Sequence, residues 1–354
     1  MMRKLADERA AAASGTIEKI LETTPVDQWS ELVEHPDLRT YGALERLGRI
    51  FVDTLATAPQ RAHVLALLGV SLTENLSSAA YAPETIAQAK AYAWKDLGTA
   101  LRFLGRPQES IDALLTAEAA LTQPHGGAGS LTHDRAIVRF SLAVTYQEAD
   151  RFQESRALLA ECKEVFREHG DDRRYTLSVF AEGVLLQRLQ HYREAREIYL
   201  LLLASTTTIE KDSLAAVHRV IGLCSIELAD FREAETHLRR SIALNDALGQ
   251  RLEALKGKAA LGRLFIRRGD AGRAVLHLRP VRHEFLRNGL TEEAGICGLE
   301  VVEGLLQLEH PSQAETLART IVSEFTAAKL NKQALLALDH LAEAIAARKA
   351  STSS

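Results

Sequence analysis

Residues 94–115 read WKDLGTALRFLGRPQESIDALL, and this stretch decides the fold. In its first part an apolar or small residue recurs every three or four positions, at Trp94, Leu97, Gly98, Leu101 and Leu104. After the segment RPQES, the same spacing resumes from Ile111 to Leu121. Steps of three and four residues mark one face of an α-helix. We therefore predict two helices joined by a short turn.

The segment between these two helical patterns recurs along the chain. It reads RPQES, RFQES, HYREA, DFREA, DAGRA and HPSQA, ending at Ser110, Ser155, Ala195, Ala234, Ala274 and Ala314. After a longer first interval, each segment ends about 40 residues after the one before it. Apolar stripes of helical period flank these segments. Self-similarity at a fixed spacing predicts an array of stacked helix pairs rather than separate globular domains.

Small residues occupy matching positions in the two helical patterns of each unit. In the first pattern they are Gly98, Ala143, Gly183, Gly222 and Gly262, and in the second they are the residues that end the six segments. A glycine inside a helix costs about 1 kcal/mol relative to alanine. We expect this cost to be offset by close packing of the two helices at these points.

The run Trp94-x2-Leu97-Gly98-x2-Leu101, followed by Ser110-x3-Leu114, resembles the tetratricopeptide (TPR) signature W-x2-L-G-x2-Y…A-x3-F. It departs by leucine for tyrosine and serine for alanine. The long spacing of the segments is similar to that of TPR variants such as the kinesin-light-chain and bacterial Rap-type repeats. The resemblance covers about residues 91–323. It implies an all-α, right-handed α-solenoid of antiparallel helix pairs, whose concave face holds a peptide or a partner helix.

The pattern divides the chain into three parts. Residues 1–82 are expected to form an N-terminal helical cap, alone or with one degenerate repeat, with helices near 17–21, 44–55 and 62–76. Residues 83–330 are expected to hold about six TPR-like repeats, interrupted by loops at 123–133 and 205–208. Residues 331–350 are expected to form a capping helix with an apolar stripe and charged residues on its other faces.

The TPR resemblance also implies which side chains line the concave groove. They are Lys95, Arg102, Phe140, Val144, Phe180, Gln187, Arg188, Arg219, Lys256, Arg263 and Arg267. This groove is apolar in its middle, with a basic bias on either side. Such a surface suits an acidic peptide whose apolar anchors meet Phe140 and Phe180. The alternative to peptide binding is that these arginines are ordinary surface residues, because arginine occurs on any solvated helix. The carboxylate clamp of some TPR domains is not matched, since Thr99 follows Lys95 where that clamp has asparagine.

Composition and motifs exclude several classes of function. The net charge of −4 argues against a general nucleic-acid binder. The N-terminus has no apolar segment of a secretory signal, and no apolar run is long enough for a membrane span. Three cysteines without CxxC spacing are typical of reduced thiols in the cytoplasm. Because no metal-ligand spacing, phosphate loop or catalytic motif occurs, we expect neither metal, cofactor nor enzymatic activity.

Two functions fit this architecture. The first is a non-enzymatic cytoplasmic scaffold or regulatory adaptor that binds a protein through the groove. The second is a peptide-responsive regulator resembling Rap-type sensors, in which residues 1–80 would act as the effector module. A third class, an enzyme, has no positive feature in the sequence.

Overall fold

The structure is a computed structural model that describes residues 7–9, 11–12, 15–122, 131–204 and 211–353. These residues form α-helices and two 3-10 helices, and no strand occurs among them. Consecutive helices pack as antiparallel pairs of the TPR type, so the predicted all-α class is confirmed. The chain divides into two compact units, residues 1–185 and 186–354. The predicted loop at 205–208 and most of the loop at 123–133 lie outside the described residues.

The first unit contains α1 (Thr16–Thr23), two 3-10 helices (Val26–Glu34 and Pro36–Leu38), α2 (Tyr41–Leu55), α3 (Pro59–Glu74), α4 (Pro83–Phe103), α5 (Pro107–Thr122), α6 (Thr132–Glu148), α7 (Phe152–Glu168) and most of α8 (Asp172–Arg188). The sequence did not predict the 3-10 helices. They are held by Trp29, which is completely buried and donates its indole N–H to the Thr24 carbonyl at 3.0 Å. The N-terminal helices therefore have a core of their own.

The second unit contains α9 (Tyr192–Ala204), α10 (Lys211–Glu227), α11 (Phe231–Ala247), α12 (Arg251–Arg267), α13 (Ala271–Arg287), α14 (Thr291–Gln307), α15 (Pro311–Ala327) and α16 (Asn331–Ser353). Helices α10, α12, α14 and α16 begin at residues 211, 251, 291 and 331. Equivalent positions in these four helices can therefore be compared residue by residue.

Helix boundaries follow local backbone chemistry. Helices α3, α4, α5 and α15 begin with proline, whose fixed φ suits the first helical position and whose missing N–H is not needed there. The turn after α10 contains Ala229 in the left-handed region, with φ of 58°. There the Asp230 N–H donates to the Ser225 carbonyl at 2.9 Å, which closes the helix end.

Close approach of paired helices is confirmed at Gly98, Gly222 and Gly262. A Cβ added at Gly98 would lie 2.7 Å from Leu114, and one at Gly222 would lie 2.6 Å from Leu238. At Gly262 the added Cβ would overlap the side chain of Leu278. The small residues predicted on the second helices are all fully buried, namely Ser110, Ser155, Ala195, Ala234, Ala274 and Ala314. The repeated demand for small residues thus comes from helix pairs that leave no room for a side chain.

Helix α16 presents its apolar residues differently from the expectation. Ala337 and Ala344 are completely buried, whereas Leu335 is 66% and Leu338 46% exposed. The helix packs on the core through small residues, because these allow the backbones to approach. Leu335, Leu336 and Leu338 are exposed, whereas Leu341 is half-buried against the core. None of the described helices combines the length and the apolar content that a membrane crossing requires.

Candidate functional site

The first unit contains a cavity of about 710 Å³. Its walls come from α2, α3 and α4, with Ile137 of α6 and Arg174 of α8 completing the lining. Apolar side chains include Leu47, Phe51, Leu65, Ala93 and Ile137, and charged side chains of both signs include Glu45, Arg49, Asp53, Lys95, Asp96 and Arg174. The volume and the mixture of apolar wall with a few polar groups are typical of a ligand pocket.

Lys95, one of the predicted groove residues, lines this cavity beside a buried carboxylate. Its Nζ donates to Asp96 Oδ1 at 2.5 Å, and the two side chains are only 18% and 14% exposed. Burial raises the pKa of Asp96, against the opposing effect of Lys95. A Cβ added at Gly48 on the facing helix would lie 3.5 Å from Asp96 Oδ2. The carboxylate of Asp96 in the cavity wall therefore lies next to Gly48, which has no side chain.

A chain of buried hydrogen bonds fixes the helices around the cavity. Tyr92 and Gln88, both on α4, donate to the Asp134 carboxylate of α6, and the Gln88 bond is 3.0 Å long. Tyr41 of α2 donates to Gln88 Oε1 at 3.2 Å. Burial and the bond to Asp134 raise the pKa of Tyr92, so its hydroxyl remains a donor at neutral pH. Three helices thus share one polar network.

The same network extends to the N-terminal segment. The Tyr41 backbone N–H donates to Tyr81 Oη at 3.2 Å, and Tyr81 donates to Glu8 Oε1 at 2.9 Å. Residue 8 is therefore connected through hydrogen bonds to the helices that line the cavity.

The other predicted groove residues of the first unit are partly used in packing. Arg102 is 20% exposed and pairs with Glu148 of α6 at 2.7 Å. Phe140 is half-buried and packs against the cluster that contains Ile137 and Phe166. Val144 and Phe180 are half-buried. These side chains are therefore only partly accessible to a binding partner.

In the second unit, the predicted cations lie opposite carboxylates. Arg263 of α12 pairs with Glu300 of α14 at 2.5 Å, and Arg267 lies 3.6 Å from Glu227 of α10. Two more of the predicted cations share one carboxylate, since Lys256 lies 2.7 Å and Arg219 3.9 Å from Glu253. Gln187 accepts a hydrogen bond from Tyr199 at 3.0 Å, and Arg188 is exposed. The basic bias of the sequence is thus largely compensated within this unit.

The sequence did not predict that α2 contributes to the site. Tyr41, Gly48 and Arg49 line the cavity, although the sequence pattern places residues 1–82 in a cap. One signal was present, since Gly48 interrupts a helical pattern without a turn nearby. Asp96 is likewise absent from the predicted lining. Its position two residues after the signature residue Trp94 gave no hint that it would be buried.

A pair of histidines occurs in the second unit. His218 Nδ1 of α10 lies 2.9 Å from His237 Nδ1 of α11, with ring centroids 5.0 Å apart. Burial, His237 and Arg240 lower the pKa of His218 to about 4. Burial also lowers the pKa of His237, against the opposing effect of Glu233. Both rings are therefore held neutral in the folded unit.

This pair predicts a fall in stability on mild acidification. A histidine in the unfolded chain has a pKa of about 6.5, so between pH 6.5 and 4 the unfolded chain binds more protons than the folded one. Stability is therefore full above this window and is lost as the pH falls through it. We expect the melting temperature to drop by a few degrees between pH 7.5 and pH 5. His237→Gln should flatten this dependence, and an unchanged pH profile would contradict the assignment.

The cysteines do not supply a nucleophile. Cys162, Cys224 and Cys297 are free and buried. Burial raises the pKa of Cys162 and of Cys297 to about 12, and that of Cys224 to about 11. All three are thus protonated at neutral pH, when the reactive form would be the thiolate. In the described residues, no cluster of three or more histidine, cysteine, aspartate or glutamate side chains could hold a metal ion.

Comparison with known proteins identifies the fold and leaves the family open. No family model and no curated protein matches the sequence. A Rap protein complexed with Competence and Sporulation Factor aligns with a TM-score of 0.53 at 16% identity, covering 90% of this chain and 96% of that one. The Rap conjugation gene regulator of plasmid pLS20, in complex with the Phr* peptide, aligns with a TM-score of 0.55 at 13% identity, covering 92% and 94%.

A third similar structure is described as an enzyme. Aspartyl phosphate phosphatase F from Bacillus subtilis aligns with a TM-score of 0.51 at 12% identity, covering 95% of this chain and 94% of that one. Identities this low establish a shared fold and nothing about activity. By this likeness, the chain has a TPR-like fold of the kind seen in Rap proteins.

Proposed function

We propose that this protein is a cytoplasmic, peptide-responsive regulator whose peptide site is the cavity of the first unit. The observation that carries the proposal is a cavity of about 710 Å³ with apolar walls and charges of both signs at its edge. An extended peptide has the same combination of apolar side chains and charged ends. The likeness to two solved structures described as complexes with a peptide or factor supports this choice over a passive scaffold.

The lining suggests how a peptide would be held. Leu47, Phe51 and Ile137 offer apolar contacts, whereas Arg49 and Arg174 can meet a carboxylate and Asp96 an amine. Since Lys95 already bonds to Asp96 Oδ1, a peptide amine would meet the other oxygen, Oδ2, which lies on the side of Gly48. The peptide would touch Tyr92, which belongs to the network that reaches Glu8. Peptide binding would thereby be communicated to the N-terminal segment.

The proposal also includes the division of the chain into repeats. We interpret residues 83–330 as a long TPR variant, preceded by an N-terminal module of residues 1–82. The helix starts at 211, 251, 291 and 331 support its regular, long spacing. Residues 331–350 act as the terminal helix. The remaining groove residues, from Arg102 to Arg267, would serve as further contact surface rather than as the primary site.

A protein-binding scaffold is the second candidate, and we propose no catalytic role in either case. The scaffold is favoured by the exposed Arg188 and Arg267 on the predicted groove. A role without catalysis is supported by the protonated, buried thiols described above. The two candidates differ in ligand size, since a cavity within one unit admits a short peptide and a groove admits a folded partner.

Filling the cavity tests the peptide site. A library of short synthetic peptides is screened for those that raise the melting temperature, since a ligand that binds only the folded state stabilises it. Gly48→Phe should abolish the effect of every peptide found, because its ring would occupy the cavity. The variant should still fold, since a Cβ at this position meets only Asp96 Oδ2, at an ordinary 3.5 Å.

The matched control is Gly272→Phe on α13, where a Cβ has nothing within 4 Å. This variant should respond to peptides as the natural protein does. If peptides stabilise Gly48→Phe and the natural protein equally, the cavity is not the site. If no peptide stabilises the protein but a folded partner binds, the scaffold interpretation takes its place.

A further inference from the structure

The second unit contains a cleft of about 550 Å³ between α13 and α15, within the range of ligand pockets. Val301 and Leu305 of α14, both buried, contribute apolar surface to it. Arg279 and Arg282 of α13 line one side. Uncharged polar side chains of α15 line the other side, namely Ser312, Gln313, Thr316 and Thr320. Among the described residues that line this cleft, none is an aspartate or a glutamate.

Arginines equivalent to Arg279 occur one repeat earlier and one repeat later. Helices α11, α13 and α15 begin at residues 231, 271 and 311, so Arg279 corresponds to Arg239 and Arg319. Arg239 Nη2 lies 2.8 Å from Oε1 of Glu235, one turn earlier on the same helix. The same atoms of Arg319 and Glu315 are also 2.8 Å apart. In both neighbouring helices, this arginine therefore has a carboxylate partner of its own.

Helix α13 lacks that carboxylate. The position one turn before Arg279 holds Val275, which is buried. Arg279 Nη2 donates instead to a neutral amide oxygen, Gln313 Oε1 of α15, at 3.1 Å, and it forms no ion pair within the described part of the chain. Guanidinium groups bind carboxylates more strongly than neutral acceptors. The cleft therefore contains a positive charge without the anion that the equivalent arginines have.

Arg282 is a second departure from the repeat pattern. The equivalent residues, Ile242 and Val322, pack against the apolar core. Arg282 is only 14% exposed, and its Nη2 lies 2.7 Å from the carboxylate of Glu324. Gly298 leaves room for it, since a Cβ there would lie 2.8 Å from Arg282 Nε. Glu324 balances the charge of Arg282, so the charge of Arg279 remains uncompensated.

We propose that this cleft binds a carboxylate carried on a short apolar chain. The carboxylate takes the place beside Arg279 that Glu235 and Glu315 take beside the equivalent arginines, and it replaces the bond to Gln313. The apolar chain lies against Val301. A free short-chain acid and a polypeptide that ends in an aliphatic residue share this chemistry. The site belongs to the second unit alone, so it is independent of the peptide site proposed in the first unit.

Titration of the full chain with hexanoate, followed by saturation-transfer difference NMR at low salt, tests the proposal. Hexanoate should bind, whereas hexan-1-ol, which has no charge, should not. Acetate should bind about tenfold more weakly or worse, because it has no chain to place on the apolar surface. Binding should weaken as salt is added, since salt screens the attraction to an exposed arginine. Gly48→Phe, which fills the cavity of the first unit, should bind hexanoate as the natural protein does.

Arg279→Gln should weaken hexanoate binding about tenfold, since it removes the charge but keeps a polar side chain. Arg239→Gln is the matched control, because Arg239 is already paired with Glu235, and it should leave the affinity unchanged. Val275→Glu should abolish binding without removing an arginine, because it gives Arg279 the internal partner that the equivalent arginines have. Circular dichroism and the melting temperature verify that each variant is folded.

The source of the carboxylate is distinguished by acetyl-alanyl-leucine with a free carboxyl end and by its amide. If the free dipeptide binds more tightly than hexanoate and the amide does not bind, the ligand is a polypeptide terminus. If hexanoate binds more tightly, it is a small acid. The proposal is overturned if the natural protein binds neither compound, or if Arg279→Gln and Arg239→Gln change the affinity equally. Equal binding of hexanoate and acetate would likewise exclude the apolar part of the site.

Discussion

Gly262→Leu is expected to destabilise the second unit by about 3 kcal/mol or more, the largest effect that we predict for a single substitution. Even the Cβ would overlap the Cδ2 and Cγ atoms of Leu278. Leu278 is completely buried, so it has no free space into which to move. The gain in helix propensity from replacing glycine is only about 1 kcal/mol and does not offset this overpacking. Urea denaturation followed by circular dichroism measures the loss.

The same substitution at Gly272 separates packing from helix propensity. A Cβ there meets nothing within 4 Å, although the residue also lies in a helix of the second unit. Gly272→Leu should leave the free energy of unfolding unchanged or slightly raised. Equal destabilisation by both substitutions would mean that the helices are not packed as closely as the structure has them.

Asp134→Ala is expected to cost the first unit about 2–3 kcal/mol. The carboxylate is buried and accepts hydrogen bonds from Tyr92 and Gln88. Its removal leaves both donors unsatisfied in a region with little access to water, where an unpaired polar group is costly. The free energy of unfolding, measured by chemical denaturation, should fall accordingly. The change should also loosen α2, since Tyr41 is bonded to Gln88.

Asp134→Asn provides the control, because an amide oxygen can still accept the bond from Tyr92. We expect it to cost about 1 kcal/mol, clearly less than the alanine variant. If alanine and asparagine are equally harmful, the charge of Asp134 matters rather than its hydrogen bonds. If both are neutral, the network does not hold these helices together.

The helix pairs could be predicted because the sequence repeats the small residues that allow two helices to pack closely. Gly98, Gly222 and Gly262 recur at one position, and each faces a leucine of its pair. The 3-10 helix around Trp29 could not be predicted in this way, because it occurs once and follows no period. Periodicity reveals only what recurs.

The site is less completely predictable, for a different reason. Lys95 follows from the repeat pattern, but Gly48 and Tyr41 face the cavity from a preceding helix, outside the recognised repeats. For a similar reason, the sequence does not reveal that carboxylates on other helices pair with the groove cations. Arg263 and Glu300 lie on different helices, and only the fold brings them within 2.5 Å. Positions on one helix can be inferred from spacing, but contacts between helices depend on packing.

Hydrogen–deuterium exchange with a saturating peptide from the library screen tests the location of the peptide site most directly. Binding in the cavity should slow exchange in α2 and α4, which form its walls, and in α3 to a smaller extent. Protection should also reach the segment around residue 8 through Tyr41 and Tyr81. Protection confined to helices α10 to α16, with α2 and α4 unchanged, would contradict a peptide site in the first unit.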